Sequence, residues 1–166
     1  MDNDNARSER ILDPAYIAGL EARTDDDLRA MHAECVELET EVSYVRRVAQ
    51  ARIDILTAEL DRRERGGSLE ELIDSLPQIL ADSGPRGAPA TSRLPLQLAP
   101  EQESEWEPRL ARFESQLADL PTLPVPQLTE TLDGLRVLER EVSNQRHALF
   151  GVIERIDVVL AERLRG

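Results

Sequence analysis

The sequence is poor in aromatic residues. One Trp, two Tyr and two Phe make up 3% of its 166 residues, too few large side chains to fill the interior of an ordinary globular domain. Cysteine is scarce as well. Cys35 stands alone, which excludes an internal disulfide framework and points to a reducing compartment. No apolar run approaches the roughly 20 residues that a bilayer crossing needs. Met1 to Arg10 is polar and acidic and lacks the apolar centre of a signal peptide, so a cytoplasmic protein is expected. A Gly-rich phosphate loop, a nucleophile with its base and a catalytic acid pair are also missing, and the chain does not read as an enzyme. The net charge of −13 disfavours direct contact with nucleic acid or an anionic membrane, and it suits a partner with basic surfaces.

What is present is charge and leucine. Charged residues make up 32% of the chain, and Leu, Ala, Arg and Glu dominate, the balance expected of long, partly exposed helices. Thr24 followed by Asp25, Asp26 and Asp27 is a strong helix start: a hydroxyl cap, then three carboxylates at the positive end of the dipole. No Pro or Gly follows until Gly66, which predicts a helix of about 40 residues, roughly 60 Å long. Before it, residues 1–10 read as a polar tail, and Asp13-Pro14 opens a short helical segment ending near Arg23. After it, Ser68-Leu-Glu-Glu71 has capping-box spacing and starts a short amphipathic helix to about Leu80. Residues 81–104 hold Pro85, Pro89, Pro95 and Pro100 with Gly84 and Gly87, and read as a flexible, disordered linker. A brief helix is expected from Pro108 to Ala118, within 105–120. Pro121, Pro124 and Pro126 precede a second long helix to about Leu164, which Gly134 weakens without ending.

The two long helices read as copies of one another. At an offset of 100 residues, Leu20, Leu28 and Leu38 match Leu120, Leu128 and Leu138, while Ile53 matches Ile153 and Leu60 matches Leu160. Heptads alone would repeat such leucines. The run Glu-x-Glu-Val-Ser-x-x-Arg at 39–46 and 139–146 includes polar residues that heptads do not require, so an internal duplication is inferred. Val42, Val45, Ala49, Ile53, Leu56 and Leu60 form one narrow apolar seam, and Val142, Leu149, Ile153, Ile156 and Leu160 form its counterpart. The expected architecture is all-α: an antiparallel intramolecular coiled coil of the two long helices, with short accessory helices.

Beside the first seam runs a polar stripe, Glu39, Ser43, Arg46, Gln50 and Asp54. Its steps of four, three, four and four keep it within an arc of roughly 80°. A solvated helix face with incidental pairs would account for such a stripe. The pattern Glu-x3-Ser-x2-Arg-x3-Gln-x3-Asp, however, resembles the cyclic di-GMP signature of the RsiG family of actinobacterial anti-sigma factors. Ser43-Tyr-Val-Arg-Arg47, Arg52-Ile-Asp-Ile-Leu56 and Leu12-Asp-Pro-Ala-Tyr16 are similar to that family as well. The resemblance covers about 11–65 and 120–164.

The resemblance implies one ligand motif on each coiled-coil helix and a regulatory ligand, cyclic di-GMP, bound as an intercalated dimer. It further implies a partner, the WhiG-like sporulation sigma factor, sequestered from RNA polymerase. The chemistry suits that ligand. An Arg fork matches guanine N7 and O6 bidentately; Asp54 or Glu39 can accept from the guanine N1–H and N2–H edge; Ser43 and Gln50 can serve phosphate oxygens or the remaining edge groups. Arg46, Arg47 and Arg52 form a local basic island within 43–53, which contains no acid ahead of Asp54. The second copy keeps Glu139, Ser143 and Arg146 but departs afterwards, with Phe150 in place of Gln and Glu154 in place of Asp. Phe150 either stacks on a base or, as the preferred reading, packs against a neighbouring helix.

Other candidates are thin. His32 and Cys35 sit on adjacent turns near Glu39, yet no second pair completes a metal set, so no metal is expected. His147 beside the second motif could tune binding or simply be solvated. Trp106 either anchors a partner or covers the helix pair. Two alternatives stay open against the anti-sigma reading: a structural coiled-coil adaptor, and a cyclic di-GMP sensor with a different effector.

Overall fold

The computed structural model describes residues 3–82 and 106–165, and among these it is all helix and turn. In chain order the helices are α1 (Asn3–Leu12), α2 (Asp25–Arg65), α3 (Leu69–Asp82), α4 (Glu107–Ala111), α5 (Glu114–Ala118) and α6 (Val125–Arg165). Two 3-10 turns, Pro14–Ile17 and Leu20–Ala22, lead from α1 into α2.

Local chemistry sets the ends of α2. The Thr24 hydroxyl accepts from the Asp27 N–H at 3.1 Å, and the Asp27 carboxylate accepts from the Thr24 N–H at 3.3 Å. This reciprocal cap satisfies two N–H groups that would otherwise lack partners. At the other end Gly66 adopts φ 69°, a left-handed conformation that costs an L side chain more than glycine, and the helix stops there.

α2 and α6, 41 residues each, pack antiparallel. Arg163 pairs with Asp25 at one end, His32 with Asp157 further in, and Glu39 with Arg146 near the middle. Val42, Val45, Ala49, Ile53 and Leu56 are buried along α2 as the seam predicts, while Leu60, its expected last member, is only partly buried beside the fully buried Glu59. On α6 the seam is displaced: Val152 and Val159 are buried, while Ile153 and Leu160 lie at its margin. The cause is the N-terminal segment, whose Ile11, Leu20, Tyr16 and Ile17 join the same cluster and draw that flank of α6 inward. No helix among the described residues is long and apolar enough to cross a membrane.

Several expectations need correction. Residues 3–12 are not a bare tail but a helix. Arg7 donates to Glu41 (2.9 Å) and Glu37 (3.0 Å) of α2, and Gln145 of α6 donates to the buried Ser8 hydroxyl at 2.6 Å. The stretch from Pro14 to Arg23 is two 3-10 turns rather than one helix, because Gly19 takes a left-handed φ of 68° between them. Asp13 caps the first turn by accepting from the Ala15 N–H at 2.7 Å, and Tyr16 then donates to Glu34 at 3.0 Å, fastening the turn to α2. The helix expected over 108–118 is two, α4 and α5. The linker expected over 81–104 lies outside the described residues, apart from Ala81 and Asp82, which close α3. Gly134 has a positive use: a Cβ there would meet the Phe113 ring at 3.0 Å, so the glycine lets the α4–α5 segment lie close on α6.

The duplication is visible in three dimensions. Glu41 holds Arg7 of α1, and its copy Glu141 holds Arg109 of α4. Arg163 donates to the carbonyls of Leu20, Glu21 and Arg23, while its copy Arg63 donates to those of Leu120, Pro121 and Leu123. Each half's entry turn is therefore closed by the end of the other half's long helix.

Candidate ligand-binding face

α1, α4 and α5 gather on one side of the seam. They reach α2 at Glu37, Glu41 and Arg52, and α6 at Thr131, Gly134, Glu141 and Gln145. At 100° per residue these positions lie on roughly the opposite flank of each helix from the polar stripes. The stripes of α2 and α6 thus share one face that α1, α4 and α5 leave uncovered.

The centre of this face is a crossed network. Ser43 Oγ donates to Glu39 Oε1 at 2.5 Å, and Arg146 Nε reaches across from α6 to Glu39 Oε1 (3.0 Å) and Ser43 Oγ (2.7 Å). The second copy repeats the inner contact, with Ser143 Oγ donating to Glu139 Oε1 at 2.7 Å. It does not repeat the crossing. Arg46, the copy of Arg146, has a buried Nε with no hydrogen-bond partner, and the adjacent Arg47 has a buried Nη2 with none. Burial, followed by the nearby Arg46 and with a smaller push from Arg146, holds the Arg47 guanidinium below its ordinary pKa, against the pull of Glu39. Three guanidinium groups therefore crowd the middle of the face, and only one is anchored to a carboxylate.

The outer ends of the motifs part company. Because the helices are antiparallel and the motifs meet at their Glu-Ser-Arg portions, Asp54 and Glu154 lie toward opposite ends, roughly 30 Å apart at 1.5 Å per residue. Gln50 Nε2 donates to Asp54 Oδ1 at 2.9 Å, so the first copy's amide and carboxylate form a preset pair. The second copy has none. Glu154 is exposed, and Phe150 is 41% exposed rather than packed against a helix, with the Arg146 guanidinium 4.5 Å above its ring centroid.

Residues 14–80 match the family model described as RsiG-like. Over that stretch, less than half of its length, the chain is similar to the RsiG-like family. The stretch holds both 3-10 turns, the whole of α2 with the complete motif, and most of α3, whereas α4–α6 lie beyond the match. No curated protein matches the chain.

Within the RsiG-like stretch the arginines divide by task. Arg52 donates to the Leu110 carbonyl at 2.7 Å and pairs with Glu114, so it docks the accessory segment instead of adding charge to the ligand face. Arg47 falls four residues after Ser43 and three before Gln50, at the edge of the stripe, and its buried Nη2 has no partner. His32 and Cys35 turn to different neighbours: His32 Nε2 lies 3.2 Å from Asp157, and the buried Cys35 thiol lies 3.9 Å from the Tyr16 hydroxyl. Among the described residues no His, Cys, Asp and Glu cluster could hold a metal ion. Trp106 is buried in the core beneath α4, with Arg109 over its ring, which accounts for it as a cover on the helix pair.

Proposed function

We propose that this chain is an anti-sigma factor whose α2 and α6 stripes bind cyclic di-GMP and, together with it, sequester a WhiG-like sporulation sigma factor from RNA polymerase. The observation that supports this reading most directly is the pair of unpartnered buried N–H groups on Arg46 and Arg47. Leaving such a group unsatisfied costs about 1–3 kcal/mol, and although the chain has 33 Asp and Glu residues, none partners either N–H. An anionic ligand with acceptor edges resolves the deficit. Cyclic di-GMP brings two phosphates and two guanines, each with N7 and O6 acceptors suited to an Arg fork.

In this reading Arg46, Arg47 and Arg146 neutralise phosphate or read the Hoogsteen edge of guanine. Glu39, Asp54, Glu139 and Glu154 accept from its Watson–Crick edge, while Ser43, Gln50 and Ser143 supply the remaining polar contacts. The sigma factor, a protein with basic surfaces, would meet the acidic helix pair around the ligand. A ligand touching both proteins stabilises the complex by its differential affinity for bound and free states, so falling cyclic di-GMP would release sigma.

A structural coiled-coil adaptor has no use for crowded, unpaired arginines on its open face. A cyclic di-GMP sensor with another effector shares the ligand and differs in the partner. Titrating fluorescent cyclic di-GMP into the full chain, with and without a purified WhiG-like sigma factor, separates the readings. The anti-sigma reading expects the two to bind each other tightly only when the nucleotide is present. A sigma complex indifferent to the nucleotide, or nucleotide binding indifferent to sigma, would overturn it.

A further inference from the structure

Phe150 is one of only two phenylalanines, and the two are used in opposite ways. Phe113 fills the space left by Gly134 on the covered side of the helix pair. Phe150 lies in the open on the polar face, where an apolar ring has no packing reason to be, and Arg146 covers it at 4.5 Å. The same Arg146 is oriented by Glu39 and Ser43 of the opposite helix through its Nε. A planar guanidinium fixed from behind and stacked on an aromatic ring makes a layered surface of the sort on which bases stack.

We infer that Phe150 and Arg146 form a base-stacking platform, so that the α6 half of the face holds a base chiefly by its flat side and discriminates its hydrogen-bonding edge less than the α2 half does. The inference rests on the cyclic di-GMP reading and deepens it. The α2 half carries an amide and a carboxylate already paired, Gln50 with Asp54, which can discriminate donors from acceptors on a base edge. The α6 half has exchanged the amide for a ring. Every base has a π face, so stacking contributes affinity with little discrimination, whereas edge contacts contribute discrimination. The two halves of the duplication would then divide the work: one reads the edge of guanine, the other grips a base by its face.

The test is competition binding of cyclic di-GMP and cyclic di-AMP to the full chain with sigma present, using Phe150→Leu and Phe150→Gln. Phe150 is exposed, so both variants should fold, and their melting curves check this. Phe150→Leu should weaken both dinucleotides together, by roughly 5- to 100-fold as expected for loss of one stacked base. Phe150→Gln, which restores an amide one turn before the Glu154 carboxylate, should raise the preference for cyclic di-GMP over cyclic di-AMP. If the unaltered chain binds cyclic di-GMP but Phe150→Leu binds both ligands as well as it does, the platform is refuted and the functional reading stands. If Phe150→Leu weakens binding while Phe150→Gln leaves the preference unchanged, the two halves do not divide edge reading from stacking, and the inference again fails. Failure of the unaltered chain to bind cyclic di-GMP at all removes the functional reading and the inference with it.

Discussion

Arg63 and Arg163 grip opposite halves of the molecule in the same way. Each sits near the end of a long helix and donates to the backbone carbonyls of the turn that introduces the other long helix. The symmetry stops at their second partners. Arg163 also holds the half-exposed Asp25, whereas Arg63 also holds Glu59, whose side chain is fully buried.

The unequal partners predict unequal losses. Arg163→Ala should destabilise the fold by about 1–3 kcal/mol through its charge-assisted hydrogen bonds. Arg63→Ala should cost more, by roughly a further 1 kcal/mol or above, because the buried carboxylate of Glu59 would be left to Arg62 alone. Urea unfolding of the two variants checks the order; equal losses would mean that Glu59 needs only one guanidinium.

Glu59 also predicts a dependence on pH. Hydrogen bonds from Arg62 and then Arg63, at 2.7 and 2.5 Å for the Nε atoms, outweigh burial and hold its carboxyl below the ordinary value of 4.5. A depressed folded-state pKa means the unfolded chain takes up the proton first as pH falls. The contribution is therefore complete above about pH 5 and is lost progressively as pH drops below 4.5 towards the folded value. Glu59→Gln should lower stability at pH 7 and flatten this part of the curve. The measurement is the difference in urea midpoint between the two proteins from pH 7 to pH 3, which should shrink on acidification.

Arg46→Ala should separate ligand binding from folding. Its Nε is buried without a partner, so its removal should leave the melting temperature unchanged or slightly raised, since Ala is also the better helix former. Cyclic di-GMP binding in the presence of sigma should weaken by roughly 1–3 kcal/mol. A variant that melts early yet binds normally would place Arg46 in the scaffold.

The two motif carboxylates should differ as well. Asp54 is already oriented by Gln50, whereas Glu154 is exposed and must lose more rotamer freedom on engaging a ligand, about 0.5 kcal/mol or more. Asp54→Ala is expected to weaken nucleotide and sigma binding more than Glu154→Ala. Indistinguishable titrations of the two variants would show the halves to be equivalent at this position.

The sequence announced α2 and α6 because their ends are set locally, by Thr24 and Gly66 in one case and by the prolines before Val125 in the other. It concealed α1, whose helix depends on partners more than twenty residues away: Glu37 and Glu41 for Arg7, and Gln145 for Ser8. Periodicity places the seam of α6 one residue off at Ile153 and Leu160, since it cannot report that an N-terminal segment covers one flank. The motif stripe was legible down to Arg47. That Arg146 crosses to Glu39 while Arg46 crosses to nothing was not, because two copies of one pattern look alike until their neighbours are in place. Phe150 shares the position of Gln50 on the stripe, but its apolar side chain suggests packing, and only the assembled helices show that nothing beyond Arg146 covers it.

The seam between α2 and α6 joins elements from the two ends of the chain, and the path between them runs through residues 83–105. If a protease severed that path, neither long helix would lose a contact described above. The product would be a heterodimer held by its buried seam and by the two arginine grips. Its melting temperature would then depend on concentration, as dissociation obeys mass action and an intact chain's unfolding does not. Two separately expressed pieces, ending at Asp82 and starting at Trp106, should find each other in the same way, turning an intramolecular fold into an association that dilution can undo.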